Sequence, residues 1–126
     1  MENEEQLEKG SIIIILATDI PMSERQLKRI SKRVPVSLAR TGSYIGNGSG
    51  DVVIAFTTAN KIMHYEEKDI INIKIINENK IDRIFRAVVE AVEESIISSL
   101  LHSITTTGRD GNTRESLNKY IDFILK

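Results

Sequence analysis

Residues 10–21 read GSIIIILATDIP, and the run SIIIILAT at 11–18 within them decides the fold. Four consecutive isoleucines leave no alternation of apolar and polar positions. The run is too short for a helix and rich in β-branched residues, so it reads as a strand buried on both faces. A second run of the same kind, DVVIAFTT, occupies 51–58. A helix layer packed on a sheet is the economical cover for one face. The second face must be covered by further helices of this chain or by another chain.

Asp19-Ile20-Pro21 ends the first run. Ser23 and Gln26 form a capping-box pattern. Behind them Leu27, Ile30, Val34 and Leu38 recur at helical spacing, predicting an amphipathic helix over 23–40. Pro35 should kink or shorten it. Residues 41–50 (TGSYIGNGSG) hold four glycines and read as a loop. Ile71, Ile73 and Ile75 alternate with Asn72 and Lys74, predicting a strand over 70–76 with one polar face. Residues 80–103 are strongly helical in pattern, with a stripe of Ile81, Ile84, Phe85, Val88, Val92, Ile96, Ser99 and Leu100. Val89, Ile97, Leu101 and Ile104 widen it. A helix of that length spans about 36 Å, and so wide an apolar sector needs more than one neighbour. A loop over 105–113 and a short terminal helix with Leu117, Tyr120, Ile121 and Ile124 inward complete an α/β order. Residues 1–10 (MENEEQLEKG) read as a solvated linker, and 11–126 as one folded region.

The 126 residues carry a formal net charge of −1, with 40% hydrophobic and 28% charged residues. That balance suits a soluble globular protein and gives no electrostatic reason to expect nucleic acid or an anionic membrane as partner. The basic positions Lys28, Arg29, Lys32 and Arg33 read as a solvated helix face. No apolar run is long enough to span a bilayer, and the acidic start is not a signal peptide, so a cytoplasmic location is expected. There is no cysteine, which removes disulfides, thiolate metal sites and a cysteine nucleophile. His64 and His102 are isolated and make no metal case. No cofactor is expected.

Three places can carry chemistry. At Gly10-Ser11 a serine opens a buried strand after a glycine and a polar arm. Its hydroxyl can attack the preceding carbonyl, giving an ester that water then opens. Glycine on the acyl side makes the strained geometry cheaper. The serine so released has an α-amine of pKa roughly 7.7–8.0, able to act as base for its own hydroxyl. On spacing alone, an ordinary turn before a strand is the better reading. In the loop GNGSGD (46–51), the pattern is not a dinucleotide fingerprint, and it leads into a strand where phosphate loops lead into a helix. Ser49 and Asp51 are two apart, so on a regular strand they share a face. They read equally well as a proton-handling pair and as a turn braced by Asp51. A triad of His64 with Ser11 or Ser49 is not demanded by any spacing. Arg109 and Asp110 read as a loop-bracing ion pair.

GSIIIILATDIP, ARTGSYIGNGSGDVVIAFTTAN, HYEEK and TTTGRDG together resemble the β-subunit of the DmpA-type D-aminopeptidase and β-peptidyl aminopeptidase family, from Gly10 to about Asn112. The segment GNGSGD-x-x-IAF-x-TAN and its distance from Gly10-Ser11 are specific to it. The resemblance implies a precursor that cuts itself between Gly10 and Ser11, with Ser11 then the N-terminal nucleophile of the β-subunit. It implies that Ser49 and Asp51 assist; Asp51 stands where glutamate also occurs in the family. It implies a four-layer αββα sandwich like that of the Ntn-hydrolases but differently connected. An α-subunit would cover the apolar faces and supply part of the oxyanion hole and the pocket for the substrate amine. Homo-oligomers are expected, and substrates are short peptides, aminoacyl amides or esters with a free N-terminus, D- and β-residues included. Pro35 departs from the family's helix. With residues 1–10 still joined to Ser11, its α-amine is acylated and cannot act as base. Two other functions stand beside the peptidase: an orphan, non-catalytic subunit that kept the fold, and acyl transfer of the ornithine acetyltransferase kind, which a threonine in place of Ser11 would favour.

Overall fold

The computed structural model describes residues 10–124, apart from the side chains of Asp122 and Ile124. Most of the expected linker, residues 1–9, lies outside the described residues. Strand β1 (Ile13–Thr18) and strand β2 (Val52–Thr57) pair in parallel, with Ile13 opposite Val52 and Thr18 opposite Thr57. A parallel pair needs a long crossover. Here it carries helix α1 (Glu24–Ser31) and helix α2 (Val34–Arg40). Helix α3 (Ile81–Leu101) follows and packs chiefly on α2.

The capping box closes α1 as the sequence predicts: Gln26 N–H donates to Ser23 Oγ at 3.3 Å, and Ser23 N–H to Gln26 Oε1 at 3.1 Å. The single helix expected over 23–40 is two. The break falls at Lys32 and Arg33, and Pro35 sits in the first turn of α2, where its missing N–H costs nothing. Met22, Ile30, Ile81 and Ile84 form one buried cluster. Val34, Leu38 and Val92 form another, against Ile14, Leu16 and Val53 from the sheet. Each such side chain taken out of water contributes roughly 1.5–3 kcal/mol. Buried Ser37 is satisfied by donating to Val89 O at 2.9 Å, which pins α2 to α3.

The strand expected over 70–76 is absent. Ile71, Ile73 and Ile75 are exposed, so their alternation marks no buried face in this chain. The backbone groups go elsewhere. Asn60 lends its side-chain amide to both the N–H and the C=O of Lys74, each at 2.9 Å. Ile76 N–H donates to Pro21 O at 2.8 Å, and buried Gln26 donates from Nε2 to Ile76 O at 2.8 Å. An extended segment held by side chains and a turn has no neighbouring strand. The loop at 105–113 contains a two-residue hairpin, β3 (Thr106–Thr107) with β4 (Thr113–Arg114). The terminal helix starts as a 3-10 turn at Leu117–Tyr120 before α4 (Ile121–Ile124), and Tyr120 is half exposed rather than inward.

Among the described residues the sheet is covered on one face only. Ile14, Leu16, Thr18, Val53, Ala55 and Thr57 face the helices. Ile13, Ile15, Val52, Ile54 and Phe56 face outward and are between 45% and 69% exposed. The strands expected to be buried on both faces are thus buried on one, and the other is a bare apolar face among the described residues.

Candidate active site

The parallel register explains how Ser11 meets the glycine-rich loop. Ile13 lies opposite Val52, and Val52 N–H donates to Ile12 O at 2.9 Å. Continuing that pairing two steps back brings Ser11 beside Gly50. Gly50 N–H donates to Ser11 Oγ at 3.0 Å. Ser49 Oγ donates to Asp51 Oδ1 at 2.7 Å, and the same oxygen accepts from Ile12 N–H at 3.3 Å. Ser49 N–H closes the turn onto Gly46 O at 2.9 Å. Ser11, Ser49 and Asp51, separated by some 40 positions in the chain, thus share one hydrogen-bonded constellation where the two strands begin. Ser11 is exposed, while Ser49 and Asp51 are half-buried.

The arrangement has clear chemical consequences. The Asp51 carboxylate holds the Ser49 hydroxyl as a donor, which leaves the Ser49 oxygen as an acceptor toward its surroundings. The same carboxylate anchors the residue after Ser11, fixing the strand start. The Gly50 amide donates to Ser11 Oγ and so fixes the position of that oxygen; were it to attack a carbonyl, the negative charge would develop on the carbonyl oxygen, not on Oγ. Sequence reasoning did not single out Gly50, though its place between the two candidate residues was the available signal. A Cβ added there would lie 3.6 Å from Ser11 Oγ, an ordinary contact, so glycine is not required sterically by Ser11 alone.

The remaining candidates are not part of this group. His64 stacks edge-on with Tyr65 at 4.5 Å and, among the described residues, makes no hydrogen bond to either serine. His102 turns Nδ1 onto Ser98 O at 2.9 Å at the end of α3. Arg109 and Asp110 do pair, at 3.6 Å, but both are so exposed that the pair contributes little. The basic face of α1 is partly committed: Arg25 and Arg29 pair with Glu78, and Arg29 and Arg33 lie over the Phe85 ring. Among the described residues no helix is long and apolar enough to cross a membrane.

The pattern of peptidase family S58 matches residues 1–114. The chain belongs to peptidase family S58. Among curated proteins, this S58 chain is 40% identical over 108 residues to a β-peptidyl aminopeptidase of Sphingosinicella microcystinivorans, covering 86% of the chain and 27% of that protein. It is 33% identical over 102 residues to a β-peptidyl aminopeptidase of Sphingosinicella xenopeptidilytica, covering 80% and 25%. The chain thus spans about a quarter of the length of these relatives. Among solved structures it resembles the PH0078 protein of Pyrococcus horikoshii OT3, with a TM-score of 0.79 and 50% identity, covering 89% of this chain and 32% of that one. It also resembles the L-aminopeptidase D-Ala-esterase/amidase of Ochrobactrum anthropi, with a TM-score of 0.73 and 29% identity over 85% and 33% of the two chains. That enzyme is described as a prototype for the serine aminopeptidases and a new variant among the Ntn hydrolase fold. The S58 chain therefore has the α/β architecture of the Ntn-type aminopeptidases.

Proposed function

We propose that this chain carries the catalytic apparatus of a self-activating serine aminopeptidase, in which Ser11 is both the residue at the cleavage site and the nucleophile. The observation that carries the reading is the convergence of Gly50 N–H on Ser11 Oγ beside the Ser49–Asp51 pair. Family membership and the description of the Ochrobactrum anthropi relative as a serine aminopeptidase support it.

The chemistry has two stages. In the precursor, Ser11 Oγ adds to the Gly10 carbonyl carbon as its proton leaves. The Gly10–Ser11 C–N bond breaks with that nitrogen reprotonated, leaving Gly10 joined to Ser11 Oγ as an ester. Water hydrolyses the ester, freeing the Gly10 carboxylate and an N-terminal Ser11. In the mature form the Ser11 α-amine takes the hydroxyl proton while Oγ attacks the first carbonyl of a peptide or amide. The amine leaving group departs with that proton, and water opens the acyl-enzyme. Ser49, oriented by Asp51, accepts from and steadies the Ser11 amine. The Gly50 amide positions Ser11 Oγ for the attack.

Substrates are short peptides, amides or esters with a free N-terminus; the names of the curated relatives suggest β-residues, and that of the Ochrobactrum anthropi relative suggests D-alanyl esters and amides. A complementary α-part covers the bare sheet face and completes the four-layer sandwich. The test is co-expression with such a part. Intact mass should show cleavage between Gly10 and Ser11, and D-, L- and β-aminoacyl amides should then be hydrolysed. An uncut, inactive assembly would remove the proposal.

A further inference from the structure

The glycine-rich loop holds a reactive pair that plays no part in the proposed chemistry. Of the chain's asparagines only Asn47 is followed by glycine. Asn47 and Gly48 are both exposed. Among the described residues neither the Asn47 side-chain amide nor the Gly48 N–H makes a hydrogen bond. Other asparagines are tied down. Asn60 bonds both main-chain groups of Lys74, Asn77 accepts from Asn79 N–H, and Asn112 and Asn118 donate to Arg109 O and Leu101 O. Asn72 and Asn79 precede Ile73 and Lys80, whose side chains crowd the backbone nitrogen.

That combination opens a spontaneous reaction. The Gly48 nitrogen, with no Cβ beside it, can approach Asn47 Cγ closely. The new N–Cγ bond closes a five-membered succinimide as the Cγ–Nδ2 bond breaks. Nδ2 leaves as ammonia, taking up the proton that the Gly48 nitrogen gives up. Water then adds at one of the two ring carbonyls. Breaking the N–Cγ bond leaves an aspartate at position 47. Breaking the bond from the α-carbonyl to nitrogen leaves an isoaspartate, whose chain to Gly48 runs through Cβ and Cγ and is longer by one methylene.

The placement of the pair gives this reaction a consequence. Asn47 and Gly48 are the central residues of the turn that Ser49 N–H closes onto Gly46 O at 2.9 Å. A backbone lengthened inside that turn cannot close it in the same way. Ser49 and Gly50 follow directly, and they are the residues that meet Asp51 and Ser11. We infer that Asn47 is a site of spontaneous deamidation, and that isoaspartate formed there inactivates the site by moving Ser49 and Gly50 off Ser11. The loss of activity rests on the proposed roles of Ser11 and Ser49. Asp110-Gly111 can close the same ring, but an ionised carboxylate is a poor acceptor for the attacking nitrogen.

Ageing the full chain at mildly alkaline pH tests the inference, beside Asn47→Ser, which has no side-chain carbonyl and suits a turn. Peptide mapping by mass, with enzymatic methylation to mark isoaspartate, should find conversion at position 47 ahead of every other asparagine. In the isoaspartate form, amide exchange at Ser49 should speed up by at least about tenfold, because its bond to Gly46 O is lost. In the protein assembled with its complementary part, turnover should fall in step with isoaspartate at position 47, with kcat of that form lower by at least about 10²-fold. Asn47→Ser aged alongside should keep its initial turnover. Three results overturn the inference: conversion at position 47 no faster than at other asparagines, isoaspartate there with Ser49 exchange unchanged, or Asn47→Ser losing turnover at the wild-type rate. A fresh wild-type assembly without turnover would defeat the aminopeptidase reading instead. Mapping and exchange, which need no turnover, would then still decide the fate of Asn47 and its turn.

Discussion

Ser49 Oγ donates to Asp51 Oδ1 at 2.7 Å, and the same carboxylate oxygen takes the N–H of Ile12, the residue after Ser11. One acidic side chain thereby orients a hydroxyl and fixes the start of the strand that bears the candidate nucleophile. Asp51 is the residue before β2 and reaches both partners.

Removing the Ser49 hydroxyl should leave the fold intact and slow the reaction. In the assembled enzyme, Ser49→Ala is expected to lower kcat by roughly 10²–10⁴-fold, the range for loss of an acid–base element. Steady-state hydrolysis of an aminoacyl amide, with circular dichroism as the control for folding, checks it. Wild-type turnover in Ser49→Ala would remove Ser49 from the mechanism.

The pH dependence follows from the base. An N-terminal α-amine titrates at about 7.7–8.0 and acts as base only when neutral. For the processed enzyme, kcat/KM should rise with pH through that region and level above it. A profile flat from pH 6 to pH 9 would argue that another group takes the proton.

Much of this was legible in the sequence. The isoleucine run and DVVIAFTT pair as strands because β-branched residues on both faces suit little else. Ser23 and Gln26 cap α1, and the helical run is interrupted just before Pro35, which was expected to kink or shorten it. Ser49 and Asp51 do meet, but in the loop before β2, which begins only at Val52, so the strand periodicity that suggested a shared face is not what joins them. The segment 70–76 misled because alternation records which residues can face a core, not whether a neighbouring strand exists to take the backbone. There Asn60, Pro21 and Gln26 take it. Gly50 escaped notice because its contribution is a backbone N–H, which no residue type announces. The register that aims it at Ser11 is a tertiary property.

The bare sheet face predicts the solution behaviour of the isolated chain. Ile13, Ile15, Val52, Ile54 and Phe56 form a continuous apolar surface, and such surfaces seek cover. Alone, the chain should bind ANS and sediment as concentration-dependent oligomers. The complementary part should suppress both. A stable, ANS-silent monomer would contradict the need for cover.

The helical layer should be the stable part. Ile30 is 1% exposed and packs with Met22, Ile81 and Ile84. Ile30→Ala removes buried carbon and leaves a cavity, at a cost of about 2–5 kcal/mol. Urea unfolding of the assembled protein should show a lower midpoint at similar slope. An unchanged midpoint would mean that this cluster is not the core.

The central claim is that one residue is both cleavage site and nucleophile, and Ser11→Ala tests it most directly. In the completed precursor the variant should remain uncut by intact mass, since no hydroxyl can reach the Gly10 carbonyl. Made without residues 1–10, so that no cut is needed, it should still hydrolyse no peptide. If Ser11 were only a turn residue, the variant would lose about 1 kcal/mol of stability at most and keep its activity. The decisive measurement is hydrolysis of an aminoacyl amide by the pre-trimmed Ser11→Ala enzyme beside its pre-trimmed parent. The account predicts turnover by the parent and none by the variant. Comparable turnover by both would contradict it.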